Sequence, residues 1–131
     1  MSDAIPVLLV DDDKFLLDMY AMKFTAEGFA VQACLSAHDA IALLKQGNFA
    51  PQAILFDLTM PECDGYDFLQ KLSQEKLGAG AMKFALTNQS SDDEKKKALE
   101  LGADQFLVKA TMIPSEVVNT VRTALSKGKS A

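Results

Sequence analysis

Five short apolar runs, separated by segments with helical spacing, constrain the fold of this chain more than any other feature. The runs are residues 7–10, 29–34, 53–56, 83–86 and 105–108. The first and third are continuous apolar stretches ending in Asp11 and Asp57. That pattern fits strands covered on both faces. Between the runs, helix signals recur. Phe15, Leu16, Met19, Met22 and Phe24 are expected to line a first helix, stopped near Gly28. Ser36 and Asp39 form a capping-box pattern ahead of Ala37, Ala40, Ile41 and Leu44, and Gly47 closes that helix. Asp64 caps a third helix, with Phe68, Leu69 and Leu72 inward, and Gly65 permits a tight backbone path. Ser91 and Glu94 make a second capping box, Asp92 and Asp93 suit the helix dipole, and Gly102 ends the fourth helix. Pro114 starts a fifth, with Val117, Val118, Val121 and Leu125 on one face.

The resulting order, βαβαβαβαβα, predicts an α/β fold: a doubly wound parallel sheet with helices on both faces and right-handed crossovers. At 131 residues the chain fits one domain, placed at 1–127, with 128–131 as a short tail. A chain of this size buries roughly two-thirds of its unfolded surface, so folding requires neither disulfide nor metal. Cys34 and Cys63 are isolated, and no disulfide framework is expected. The segment Ala79-Gly80-Ala81 reads as a flexible connection, and the run from Asp92 to Lys97 as a solvated helix face with i, i+4 pairs. Thirteen basic against eighteen acidic residues give a net charge of -5. That balance disfavours nucleic acid and anionic membranes. The acidic start lacks a signal-peptide pattern, and no apolar run is long enough to span a bilayer, so a cytoplasmic location is expected.

Ligands of open α/β sheets bind beyond the carboxyl ends of the strands. Here those ends carry Asp11-Asp12-Asp13, Asp57, Thr87 and Lys109. A parallel sheet brings them to one rim. Clustered carboxylates repel unless a cation intervenes, and hard oxygen donors without His or thiolate favour Mg²⁺. A carboxylate beside such an ion can attack phosphorus and form an aspartyl-phosphate, with Lys109 and Thr87 neutralising charge and donating a hydrogen bond.

With Leu9-Val10-Asp11-Asp12-Asp13, the run from Ile54 to Gly65 (ILFDLTMPECDG), Ala85-Leu86-Thr87 and Phe106-Leu107-Val108-Lys109, the sequence resembles the receiver domain of two-component response regulators over nearly its whole length. The resemblance implies the flavodoxin-like strand order 2-1-3-4-5 with five helices. It implies that Asp57 is the phosphoacceptor, and that Asp11, Asp12, Asp57 and the Thr59 backbone carbonyl hold Mg²⁺. Thr87 and Lys109 would then bind the phosphoryl group, and Phe106 would be the aromatic switch. The implied donor is a sensor histidine kinase or a histidine phosphotransfer protein. Output would pass through the face of the fourth helix, fifth strand and fifth helix to a separate output protein. The domain would act as a stand-alone regulatory acceptor that assists its own phosphotransfer and dephosphorylation, either monomeric or dimerising on phosphorylation. Two departures stand out. Ala110 replaces the Pro that usually follows the Lys through a cis bond, and Asn88 replaces the small residue after the Thr. Thr59 and Gln89 occupy positions that tune phosphate lifetime in the family.

Competing readings exist for single residues. Asp13 is expected to cap the first helix. His38 reads as a surface residue, and Met60 and Met82 as packing residues. The Asp11-Asp12-Asp13 run after an apolar strand also fits a haloacid-dehalogenase-like phosphatase, with Asp11 as nucleophile and Asp13 as acid/base, although Asp57 then has no task. A third class is a receiver-like binding module that works without phosphorylation.

Overall fold

The computed structural model describes residues 4–60, 63–88 and 91–127. The strands are β1 (Ile5–Val10), β2 (Phe29–Cys34), β3 (Ala53–Asp57), β4 (Met82–Thr87) and β5 (Gln105–Val108). The helices are α1 (Lys14–Ala26), α2 (Ala37–Lys45), α3 (Gly65–Gln74), α4 (Asp92–Glu100) and α5 (Pro114–Lys127). The sheet order is β2-β1-β3-β4-β5, and every pairing is parallel. The doubly wound topology expected from the alternation is therefore present. The tail at 128–131 lies outside the described residues.

Side chains alternate across a strand, and the central strands feed two cores. Val7, Leu9, Ala53, Leu55, Phe84 and Leu86 pack with Leu17, Tyr20 and Phe24 of α1 and with Val117, Val118 and Val121 of α5. Leu8, Val10, Ile54, Phe56 and Ala85 face the other way, onto α2, α3 and Ala98 of α4. The whole of β3 is buried, which explains why its sequence shows no polar alternation.

The cap residues and glycine stops act as read. Asp13, Ser36, Asp64 and Ser91 each cap a helix through a side-chain oxygen. Gly28, Gly47 and Gly102 follow helix ends at φ 97°, 78° and 118°. Gly65 is required for a different reason. A Cβ there would stand 2.6 Å from the Asp57 carbonyl oxygen and 2.7 Å from the Leu58 Cα. The start of α3 is thus seated directly on the end of β3.

Three expectations are corrected. The inward face of α1 is Leu17, Tyr20 and Phe24, while Phe15, Met19 and Met22 are exposed. The helix carries two apolar stripes, and the sheet covers only one of them. The connection before β4 is anchored at its end, because Ala81 is fully buried and its N–H donates to the Gly78 carbonyl at 3.0 Å. The charged run of α4 forms no ion pair among the described residues. Instead Lys97 lies over the Tyr66 ring, 4.2 Å from its centre.

Candidate functional site

The carboxyl ends of β1, β3, β4 and β5 converge as a parallel sheet requires. Asp57 is the last residue of β3, and Asp11 immediately follows β1. Thr87 closes β4, and Lys109 opens the 3-10 turn Lys109–Thr111 after β5. Asp11, Asp57 and Thr87 are the buried polar residues among those described, at 1%, 3% and 3% exposure. One carboxylate oxygen from each of Asp11, Asp12 and Asp57 lies within 4.8 Å of the others. Asp12 is exposed, so the cluster opens to solvent on its side.

Lys109 crosses the sheet to join two of these acids. Its Nζ stands 3.0 Å from Asp11 Oδ2 and 3.3 Å from Asp57 Oδ2. The second oxygen of each carboxylate accepts a backbone N–H two residues on. Asp13 donates to Asp11 Oδ1 at 2.9 Å, and Thr59 to Asp57 Oδ1 at 3.1 Å. These short loops fix both carboxylates before any ligand arrives. This geometry is present with Ala110, not Pro, after Lys109. The described residues contain no cis peptide bond, and Lys109 reaches both acids from a turn in which the Thr111 hydroxyl donates to the Val108 carbonyl at 3.1 Å.

Burial sets the electrostatics. It pushes the Asp57 carboxyl above the usual range, with Lys109 opposing and the Asp11 charge adding to the rise. For Lys109, burial alone would lower the ammonium, but the Asp57 and Asp11 carboxylates outweigh it and the pKa ends raised. One ammonium thus faces two carboxylates in a dry corner, with a third acid at the open edge. That donor set consists of hard oxygens and fits a small divalent cation such as Mg²⁺.

The remaining predicted residues lie around this core. Thr59 is exposed at the rim, and Asn88 is exposed beside Thr87. The Thr87 hydroxyl donates to Glu94 Oε1 at 3.3 Å. Phe106 is half-buried and packs against the core under α4. Asp13 does not join the acid cluster, because its side chain accepts the Leu16 N–H at 3.2 Å as the α1 cap. Gln89 lies outside the described residues. His38 is exposed, Met60 and Met82 are buried, and burial raises the Cys63 thiol.

Sequence reasoning missed two features. Tyr20 of α1 lies near the site: it is 2% exposed, and its phenol is raised by burial, with Lys109 opposing and Asp11 and Asp57 adding. The other is the uncovered stripe of Phe15, Met19 and Met22, which starts beside the acid loop. Its signal was present, since no single helix face can hold five apolar residues spaced 15, 16, 19, 22 and 24.

The family model for the response regulator receiver domain matches residues 7–122. Response regulator SaeR of Staphylococcus aureus is 31% identical over 123 residues, covering 94% of this chain and 51% of SaeR. The chain therefore spans about half the length of the curated relatives it matches. Among solved structures, a CheY-like receiver domain protein from Methanospirillum hungatei superposes with a TM-score of 0.84 at 25% identity, over 95% of this chain and 96% of that one. Chemotaxis protein CheY4 of Vibrio cholerae shares the fold at a TM-score of 0.83 and 23% identity, over 92% of this chain and 98% of that one.

Proposed function

Because the chain belongs to the response regulator receiver family, we propose that Asp57 accepts a phosphoryl group from a phosphohistidine in a Mg²⁺-dependent phosphorelay. Receiver domains are regulatory acceptors phosphorylated by histidine kinases or phosphotransfer proteins. The observation that carries the assignment to Asp57 is the buried bridge of Lys109 Nζ to Asp11 and Asp57, at 3.0 Å and 3.3 Å. An ammonium so placed neutralises charge that builds on a phosphoryl group at Asp57.

The step balances as a displacement at phosphorus. An Asp57 carboxylate oxygen forms a bond to phosphorus, and the nitrogen–phosphorus bond of the donor breaks. The departing imidazole keeps the bonding pair and takes up a proton. The Thr59 and Asp13 N–H groups hold the two carboxylates in position, and Lys109 pairs with the incoming oxygens. Thr87 turns its hydroxyl toward the group once it is attached, and Phe106 follows into the space Thr87 vacates. Asp11, Asp12, Asp57 and the Thr59 carbonyl would hold Mg²⁺, which when bound supplies the positive charge that lets two anions approach. Hydrolysis reverses the state: water attacks phosphorus, and Asp57 leaves as carboxylate.

Donor docking is expected over Phe15 and Ile113, which are 76% and 62% exposed. They stand near the N-termini of α1 and α5, adjacent helices at the rim that carries Asp57. The face of α4, β5 and α5 then reports the change to an output partner. A phosphatase based on Asp11 and Asp13 is disfavoured, because the Asp13 side chain is engaged in capping α1 and the Asp11 carboxylate is held by Lys109.

The test is incubation with acetyl phosphate and Mg²⁺, read by intact mass. One added phosphoryl group is expected in the natural protein and none in Asp57→Asn. Equal labelling of that variant, or turnover without a labelled protein, overturns the assignment.

A further inference from the structure

The hydroxyl expected to meet a phosphoryl group is already engaged elsewhere. Thr87 follows Ala85 at strand spacing, and Ala85 faces the core under α2, α3 and α4. Asp57 follows Leu55, which faces the opposite core. Strand parity therefore places Thr87 on the α4 side of the strand end. On that side its hydroxyl donates to Glu94 Oε1 at 3.3 Å. Glu94 stands in the first turn of α4, where its own N–H is capped by the Ser91 hydroxyl at 3.3 Å. In a complete capping box the Glu carboxylate turns back to the cap residue. Here it reaches across to the strand.

We propose that Glu94 is a positioning residue: its carboxylate latches the Thr87 hydroxyl toward α4 and releases it when a phosphoryl group on Asp57 competes for the same proton. The proposal rests on Asp57 being the acceptor. A threonine hydroxyl has one proton to donate, so it cannot serve both acceptors. At 3.3 Å this is a weak hydrogen bond, so the latch favours the unphosphorylated arrangement by a small margin that a phosphoryl oxygen overcomes. Release also frees a carboxylate in the first turn of α4, which connects the acceptor directly to the helix at the output face.

The experiment uses beryllium fluoride with Mg²⁺ as a phosphoryl mimic and compares affinities of the natural protein, Glu94→Ala, Glu94→Asp and each of these combined with Thr87→Ala. Both single Glu94 variants are expected to bind roughly two- to fivefold more tightly, because neither places an acceptor within reach of Thr87. Glu94→Asp keeps the charge and suits a helix first turn, so it separates the latch from simple repulsion and from loss of α4. The gain is expected to vanish in the Thr87→Ala background. In the free protein, the Thr87 methyl resonance of both Glu94 variants is expected to shift toward its position in the loaded natural protein. An unchanged affinity in Glu94→Asp, or an equal gain without the Thr87 hydroxyl, overturns the latch while leaving the acceptor intact. Absence of binding to the natural protein overturns both.

Discussion

Two buried carboxylates share one ammonium at the sheet rim, and Lys109 is the counter-charge the described residues place there. Removing one partner from a buried pair leaves an uncompensated charge, at a cost of about 3 kcal/mol or more. Lys109→Met is therefore expected to lose about 3 kcal/mol in urea unfolding at neutral pH, and Mg²⁺ is expected to restore part of it. A variant as stable as the natural protein without Mg²⁺ would show that the ammonium offsets no buried charge there. The four strand-end residues Asp11, Asp57, Thr87 and Lys109 were readable in the sequence because each ends an apolar run. The partner of Thr87 was not. Glu94 sits three residues after Ser91 and read as an ordinary capping-box acid. Only the position of α4 beside β4 shows that its carboxylate turns to the strand.

Among the elements, α1 is tied to α5 at the end far from the site. Arg122 donates from Nη1 to Glu27 Oε1 at 3.2 Å and from Nη2 to the Glu27 carbonyl at 2.7 Å. Its guanidinium lies 5.6 Å from the Phe29 ring centre. The Arg122 and Lys23 contacts hold the Glu27 carboxyl below its ordinary value of 4.5. A lowered folded-state pKa adds stability above the unfolded value, and that contribution disappears as pH falls through the folded value. Glu27→Gln should accordingly melt below the natural protein at neutral pH, with the difference closing as pH drops below 4.5. A gap that persists in strong acid would contradict this. The exposed stripe of α1 gives a second expectation. Phe15→Ser with Met22→Ser should slow phosphotransfer from a protein donor about tenfold, as loss of docking contacts does. Labelling by acetyl phosphate and the melting temperature should stay near natural values. The helix itself was legible from its cap and its stop. Which of its two stripes faces the sheet was not, because both have helical spacing and only packing against β2 and α5 chooses between them.

Over the whole molecule, the acid cluster joins the loop after β1 to the end of β3, so a cation held there stabilises the folded domain as a unit. Receiver domains bind Mg²⁺ at such an acidic pocket. Millimolar Mg²⁺ is expected to raise the melting temperature of the natural protein by several degrees, roughly 1–3 kcal/mol by mass action, and to leave Asp11→Asn with Asp12→Asn unmoved. An equal rise in both would place the ion elsewhere. The alternation of strand and helix, the caps, the glycine stops and the strand-end acids were all determined by the sequence alone. These are local: they depend on hydrogen bonds and torsions within a few residues, or on where an apolar run stops. Tertiary structure decided the rest. The buried face of α1, the bridge from Lys109 to two acids and the engagement of Thr87 by Glu94 arise between residues on different elements. Their distances are set by how strands and helices pack, and no spacing along the chain encodes them.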